Sequence, residues 1–175
     1  GLSMTAAGHF LATTWWQRET LDWRDRAVAN GGTVSQTTLK AVNEFVRSCK
    51  TAGVWSLIDR LNLFAGNQLA AALVPLKIGG GFPTDVPNAN VLPTDYSELG
   101  IDGGIKFRRS AASWLDTGWI PSVSATPFDA HMGSYLNGSV LNNSEMGAPL
   151  GAWSTAGNER FAYDWNGTVG GTVRY

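Results

Sequence analysis

The sequence predicts an α+β protein, in which a short N-terminal helical hairpin precedes an antiparallel, jelly-roll-like β-sandwich. Three observations lead to this fold class. Helical periodicity is confined to the N-terminal part, turn signals recur about every ten residues afterwards, and glycine and tryptophan are abundant, with 21 and 8 residues among 175. We therefore divide the chain into an extended arm over residues 1–19, a helical subdomain over residues 20–62 and a β-sandwich domain over residues 63–175.

The main helix is predicted to begin at Ser35, whose hydroxyl can accept a hydrogen bond from a free N–H group of the first turn. Gly53 ends it, since glycine tolerates the positive φ that a helix C-terminus requires. Between them, apolar side chains recur three and four positions apart and form one stripe. We expect this stripe to be buried, together with its thiol: Leu39, Val42, Val46 and Cys49, with Phe45 at its edge.

Shorter helices are predicted on either side of the main helix. The first runs from Leu21 to Ala29, with Thr20 as its cap and the Asn-Gly-Gly sequence at 30–32 as its stop signal. The second follows Gly53 and has one apolar face, of which the tryptophan is expected to be buried: Trp55, Ile58 and Leu61.

From Asn62 onward, short β-forming runs alternate with turn signals, as in an antiparallel sandwich. Asn137-Gly138 and Asn166-Gly167 fit type I′ hairpin turns, which need positive φ at both central residues. We expect either a neighbouring subunit or the N-terminal arm, with its Trp15-Trp16 pair, to cover the open edge of the sheet. The predicted strands are 105–108, 114–120, 130–136 and 160–165.

The composition argues against several classes of protein. The net charge of −1 provides no broad basic field for nucleic acid, and the longest apolar run, 69–76, is far shorter than the ~20 residues that cross a bilayer. One cysteine and two distant histidines make neither an intramolecular disulfide nor a zinc site. We therefore expect no nucleic-acid partner, no membrane insertion, no metal and no cofactor.

A pair of catalytic carboxylates is not evident. A retaining glycosidase needs two carboxyl groups ~5–5.5 Å apart, which residues i and i+2 of a strand would supply, but the sequence contains no Glu-x-Asp or Glu-x-Glu pair. Asp129 and His131 would share one side of a strand, yet two ligands do not make a metal site. We therefore assign no catalytic residue, and we interpret the remaining acids of this region as solvated turn residues: Asp95, Glu98 and Asp102.

Aromatic side chains suggest a different activity, because an exposed indole is a good platform for the apolar face of a sugar ring. Four tryptophans of the predicted β domain are candidates, with core packing as the alternative for each: Trp114, Trp119, Trp153 and Trp165. Trp153, in a predicted loop, is expected to be the most exposed. Together with asparagine-rich loops, these considerations indicate a possible glycan-binding set: Trp119, Asn137, Asn142, Asn143 and Trp153.

Three segments resemble, in order and spacing, a group of bacteriophage structural proteins found among tail and fibre gene products. The segments are NGGTVSQTTLKAVNEFVRSCKTAGVW at 30–55, KFRRSAASWLDTGW at 106–119 and DAHMGSYL at 129–136. Members of the group pair such a helical hairpin with a concanavalin-like (laminin-G-like) β-sandwich, and their Tyr-Leu-Asp-Thr-Gly strand reads Trp114-Leu115-Asp116-Thr117-Gly118 here. The resemblance covers roughly residues 22–165, and relative to it the sandwich is expected to stop short.

The resemblance implies a non-enzymatic virion protein, a fibre, tail or decoration component that mediates assembly and attachment to the host surface. Its partners would be other virion proteins, further copies of itself and, at the host surface, a glycan. Its location would be the virion. A lectin-like glycan-binding module is the alternative function, and a glycoside hydrolase is the least favoured one because the close carboxylate pair is missing.

Overall fold

The computed structural model describes residues 15–99, 103–107, 112–120, 131, 133–134, 147–153, 160–165 and 172–174. The helices are α1 (Arg18–Ala29), α2 (Gln36–Thr51) and the short α3 (Leu69–Ala72), with 3-10 turns at Trp55–Leu57 and Pro93–Asp95. The strands are β1 (Val86–Pro87), β2 (Tyr96–Ser97), β3 (Gly104–Ile105), β4 (Leu115–Asp116), β5 (Gly147–Trp153), β6 (Arg160–Trp165) and β7 (Thr172–Arg174).

The signals that bound α2 are confirmed. The Ser35 hydroxyl accepts a hydrogen bond from the Thr38 N–H at 3.1 Å, so Ser35 is the N-cap. At the other end Gly53 has a φ of +72°, its N–H donates to Lys50 O, and the Val54 N–H donates to Cys49 O, both at 3.0 Å. This pair of bonds is the Schellman motif, which satisfies carbonyl groups that the end of a helix would leave free.

Helix α1 is longer than predicted at its start. It begins at Arg18, in a segment assigned to the arm, and its N-cap residue Gln17 makes no side-chain capping bond. Thr20 is therefore not the cap but a buried residue of the first turn, and its hydroxyl has no hydrogen-bond partner among the described residues. The predicted stop is confirmed, because Gly31 has a φ of +87° and the N–H groups of residues 31 and 32 donate back into the last turn.

The main core lies between α1, α2 and α3. Trp23 is buried at its centre, and its indole N–H donates to Val74 O at 3.0 Å. Predicted burial of the α2 stripe is confirmed for Leu39, Val42 and Val46. These three residues belong to one apolar cluster, whose buried members are Trp23, Ala27, Leu39, Val42, Val46, Ala71, Val74 and Leu76.

The edge of the α2 stripe was wrongly placed. Phe45 is 37% exposed, Cys49 is only half-buried, and Trp55 is only partly buried where it packs against the core. The opposite edge is buried instead. Asn43 lies there and is fully buried, and its side-chain oxygen accepts a hydrogen bond from the Gln17 N–H at 2.7 Å. The start of α1 packs on the side of α2 that carries Asn43, so this side is buried and the side that carries Phe45 is exposed.

The predicted jelly-roll-like sandwich over residues 63–175 is wrong for the part of the chain that the structure describes. The apolar run after residue 68 forms α3, which packs against the other helices. The contact is close, because a Cβ atom added at Gly32 would lie only 2.5 Å from Ala71 Cβ. The second predicted short helix is a single 3-10 turn, after which Leu61 pairs with Lys77 in an isolated bridge.

The described strands form three small antiparallel sheets: β1 with β4, β2 with β3, and β5–β6–β7 in that order. Strands β1 to β4 have two residues each, too few to build one layer of a sandwich. Of the predicted strands, 160–165 coincides with β6. The hairpin turns at 137–138 and 166–167 lie outside the described residues, as does most of the predicted strand 130–136.

A second apolar cluster attaches the two two-stranded sheets, β1–β4 and β2–β3, to the helices. Leu69 and Leu73 of the α3 region pack with Val91 and with one residue from each of three strands: Tyr96, Ile105 and Leu115. The Tyr96 hydroxyl donates to Gly66 O at 2.6 Å and lies 3.0 Å from Phe64 O. Sheet β2–β3 is thereby fixed to the segment that leads into α3.

Val42→Asp tests the orientation of α2. Burying an unpaired carboxylate in place of a core side chain should lower the free energy of unfolding by several kcal/mol, about 2–5 for the lost packing alone. Urea denaturation measures this loss. Phe45→Asp is the matched control on the same helix, and it should cost about 1 kcal/mol or less because Phe45 is exposed. Equal losses in the two variants would contradict the orientation.

Tyr96→Phe tests the attachment of β2–β3 through its response to pH. Burial raises the pKa of the Tyr96 phenol above its ordinary value of 10.0, and the Glu98 carboxylate raises it further. A raised folded-state pKa gives stability that is present below about pH 10 and is lost as the pH rises further. The free energy of unfolding of the wild type, measured by denaturation between about pH 8 and 11, should fall as the pH rises. Tyr96→Phe should lack the part of this fall that comes from the phenol. The same pH dependence in both proteins would contradict it.

Candidate functional site

The Trp-Leu-Asp-Thr-Gly motif at residues 114–118 forms β4 and the turn that follows it. Leu115 faces inward, because it packs against the cluster around Leu69 and Leu73. Side chains alternate along a strand, so Trp114 and Asp116 lie on the outer face. In agreement, Trp114 is 53% exposed.

Each residue after Leu115 has a defined role in the turn. Asp116 Oδ1 accepts a hydrogen bond from the Gly118 N–H at 2.8 Å, and Thr117 Oγ1 accepts one from the Trp119 N–H at 3.2 Å. These two side-chain turns follow each other directly. Gly118 has a φ of +62°, and a Cβ there would meet the Phe82 ring at 2.5 Å. The motif is therefore a turn-forming unit that requires glycine at its fifth position.

Pairing with β1 completes the outer face. Val86 is opposite Asp116 and Pro87 is opposite Leu115, while the Asn88 N–H donates to Trp114 O at 3.1 Å. Residues directly opposite each other share a face, so the exposed Val86 side chain lies beside Asp116 and diagonal to Trp114. We call the surface formed by Trp114, Asp116 and Val86 the β4 face.

Trp119, a predicted glycan-binding residue, occupies a different environment. It is half-buried, and its indole N–H donates to Asp59 Oδ2 at 2.6 Å. This bond ties the end of the motif to the segment after the 3-10 turn at 55–57. The polar atom of the Trp119 side chain is therefore already used within the protein.

Of the predicted glycan-binding set, only Trp119 and Trp153 lie within the described residues. Asn137, Asn142 and Asn143 lie outside the described residues. Trp153 is the last residue of β5, paired with Arg160, and not a loop residue as predicted. Sequence reasoning passed over Asp59, Asp116 and Val86, although the alternation of side chains around Leu115 would have indicated the last two.

The acids considered as catalytic candidates have structural hydrogen bonds. Glu98 Oε1 accepts bonds from the Thr38 hydroxyl and the Gly66 N–H, and Asp95 Oδ2 accepts one from the Leu92 N–H at 2.8 Å. Asp102 and Asp129 lie outside the described residues, and His131 is exposed.

Neither a metal-binding cluster nor a membrane-spanning helix is found within the described ranges. No three His, Cys, Asp or Glu side chains within them are grouped so that they could hold a metal ion. No helix within them combines the length and the apolar character needed to span a bilayer.

Comparisons of the chain with protein-family models, with curated proteins and with solved structures returned no significant match. The resemblance to bacteriophage structural proteins therefore stays a prediction from the three sequence segments.

Gly118→Ala tests the role of the motif. An alanine at φ +62° is strained by about 1–2 kcal/mol, and its Cβ would also meet the Phe82 ring. Gly53→Ala is the matched control, because Gly53 has a similar φ of +72° but open space around its Cβ position. In urea denaturation Gly118→Ala should lower the free energy of unfolding more than Gly53→Ala does. When Phe82→Ala is already present, adding Gly118→Ala should cost no more than Gly53→Ala. Equal effects would show that the Phe82 contact is unimportant.

Proposed function

We propose that the protein is a non-enzymatic structural component of a bacteriophage particle, of the fibre, tail or decoration type, and that its helical part mediates assembly. The order of the three sequence segments supports the class of protein. The structural observation that carries the proposal is a group of apolar side chains left exposed at the C-terminal end of α2.

This group, the α2-end patch, consists of Phe45, Cys49, Val54 and Leu57. Leu57 is 81% exposed, and Val54 and Phe45 are also exposed. Phe45 lies one helical turn before Cys49. Val54 is folded back toward Cys49 by the Schellman motif, in which an apolar contact between these two positions is common. The four residues therefore lie at the C-terminal end of α2 and in the 3-10 turn that follows it, and all except the half-buried Cys49 are exposed.

Energetics favour a role in association. Transferring a leucine side chain from water to an apolar environment contributes about 1.5–3 kcal/mol, and Leu57 retains most of that potential in the single chain. Exposed apolar groups of this kind are typical of protein–protein contact sites. A second copy of the chain is the simplest partner, since homo-oligomers are the usual form of repeated structural subunits.

Leu57→Asp tests this assembly surface. If the α2-end patch joins subunits, a charge at Leu57 should reduce the molar mass measured by sedimentation equilibrium to that of a smaller species. Leu99→Asp is the matched control, because Leu99 is 80% exposed but lies outside the patch, and it should leave the assembly state unchanged. A wild type that is monomeric at high concentration, or equal effects of both substitutions, would contradict the role of the patch.

The class of protein is tested separately by its location. Mass spectrometry of purified phage particles should detect the chain at a fixed number of copies per particle, because a structural component is built in stoichiometrically. A protein that is abundant in infected cells but absent from particles would exclude the proposal, whatever its oligomeric state.

A further inference from the structure

The β4 face combines the exposed indole of Trp114, the residue before β4, with the carboxylate of Asp116, which the Gly118 N–H orients. We propose that the β4 face binds a neutral saccharide, with the sugar ring stacked on Trp114 and its hydroxyl groups bound by Asp116. This inference goes beyond a role in assembly and involves no residue of the α2-end patch.

Trp114 supplies the stacking surface. Its side chain projects from the outer face of β4, and its indole N–H makes no hydrogen bond within the described part of the chain. Indole rings combine a broad apolar surface with one polar edge, which suits a pyranose ring that has an apolar C–H face and hydroxyl groups around it. The exposed Val86 side chain, on the neighbouring strand β1, enlarges the apolar surface beside Trp114.

Asp116 supplies the polar contact. One carboxylate oxygen is held by the Gly118 N–H, and the other makes no hydrogen bond or ion pair within the described residues. The carboxylate is therefore oriented before a ligand arrives, which lowers the entropic cost of binding. Trp114 directly precedes β4, and its carbonyl group still pairs with the Asn88 N–H. At the rise of an extended chain, its Cα lies ~6.5–7 Å from that of Asp116, a separation that a single hexose ring can bridge.

Among the described residues, the charges near the β4 face favour a neutral sugar. Asp116 is itself negative, and it lies opposite the uncharged Val86. The guanidinium group next to the Gly81 turn belongs to Arg60, and it is already paired with Asp85. A uronic or sialic acid would therefore bring its carboxylate toward a like charge, whereas a hexose brings only hydroxyl donors.

Trp119 does not provide an equivalent platform. Its indole N–H is bonded to Asp59, and its side chain is half-buried against the turn. The predicted glycan-binding tryptophan thus supports the turn, and the tryptophan at the start of the motif is the one available to a ligand.

The proposal is tested by saturation-transfer NMR on the full chain with four probes. Three are the neutral methyl glycosides of glucose, galactose and mannose, and the fourth is the methyl glycoside of N-acetylneuraminic acid. Saturation should reach the C–H protons of at least one neutral glycoside, and it should be weakest for the acidic one. Titration by tryptophan fluorescence then gives the Kd of the glycoside that binds.

Trp114→Ala should weaken binding by about tenfold, equivalent to about 1.4 kcal/mol. Asp116→Asn should weaken it less, because an amide oxygen can still accept the Gly118 N–H and preserve the turn. Phe107→Ala removes an exposed aromatic ring that belongs neither to the β4 face nor to the α2-end patch and is the matched control; it should leave the Kd unchanged. Far-UV circular dichroism checks that every variant is folded.

Three outcomes would overturn the proposal: no transfer to any of the three neutral glycosides, unchanged binding by folded Trp114→Ala, or equal losses in Trp114→Ala and Phe107→Ala. A preference for the acidic probe would exclude the neutral ligand class. None of these results bears on the assembly state, which sedimentation of the same variants measures independently.

Discussion

Asp85 is 1% exposed, and its two carboxylate oxygens accept hydrogen bonds from Arg60 and Asn62. Its backbone N–H donates to Leu73 O at 2.8 Å. One residue thus connects the segment after α2, the end of α3 and the loop that leads into β1. Leaving one member of a buried ion pair without its partner costs about 3–5 kcal/mol, so this cluster strongly favours the single arrangement in which every charge is matched.

The position of the β4 face depends on the same cluster. Arg60 Nη1 also donates to the carbonyl groups of Ile78 and Phe82, and the Phe82 N–H in turn donates to Thr117 O at 2.8 Å. The motif turn is therefore connected to the buried carboxylate through one guanidinium and one aromatic residue. Hydrogen bonds to main-chain carbonyls and the packing of Leu115 against Leu69 and Leu73, not a continuous sheet, hold the motif against the helical part.

The features that the sequence predicted well are local ones. Ser35 and Gly53 act within one helical turn, and the stripe through Val42 follows from helical periodicity, so the limits and most of the buried face of α2 could be read directly. The apolar run at 69–76 could not be assigned in this way, because a short apolar run fits a buried strand or a buried helix equally well. Its choice of helix depends on close packing of Ala71 against Gly32, which is distant in sequence.

The candidate site likewise combines features that have a local sequence signal with contacts between residues distant in sequence. Alternation around an inward Leu115 places Trp114 outside, whereas the bond between Trp119 and Asp59 joins residues 60 positions apart and has no local signal. A single indole with one carboxylate binds a sugar weakly, since few groups contribute. Copies of the chain joined through another surface would present several such faces to the same glycan layer, and multivalent attachment can exceed the single-site affinity by about 10²–10⁴. A weak site on an assembling protein is therefore physically sufficient for firm attachment.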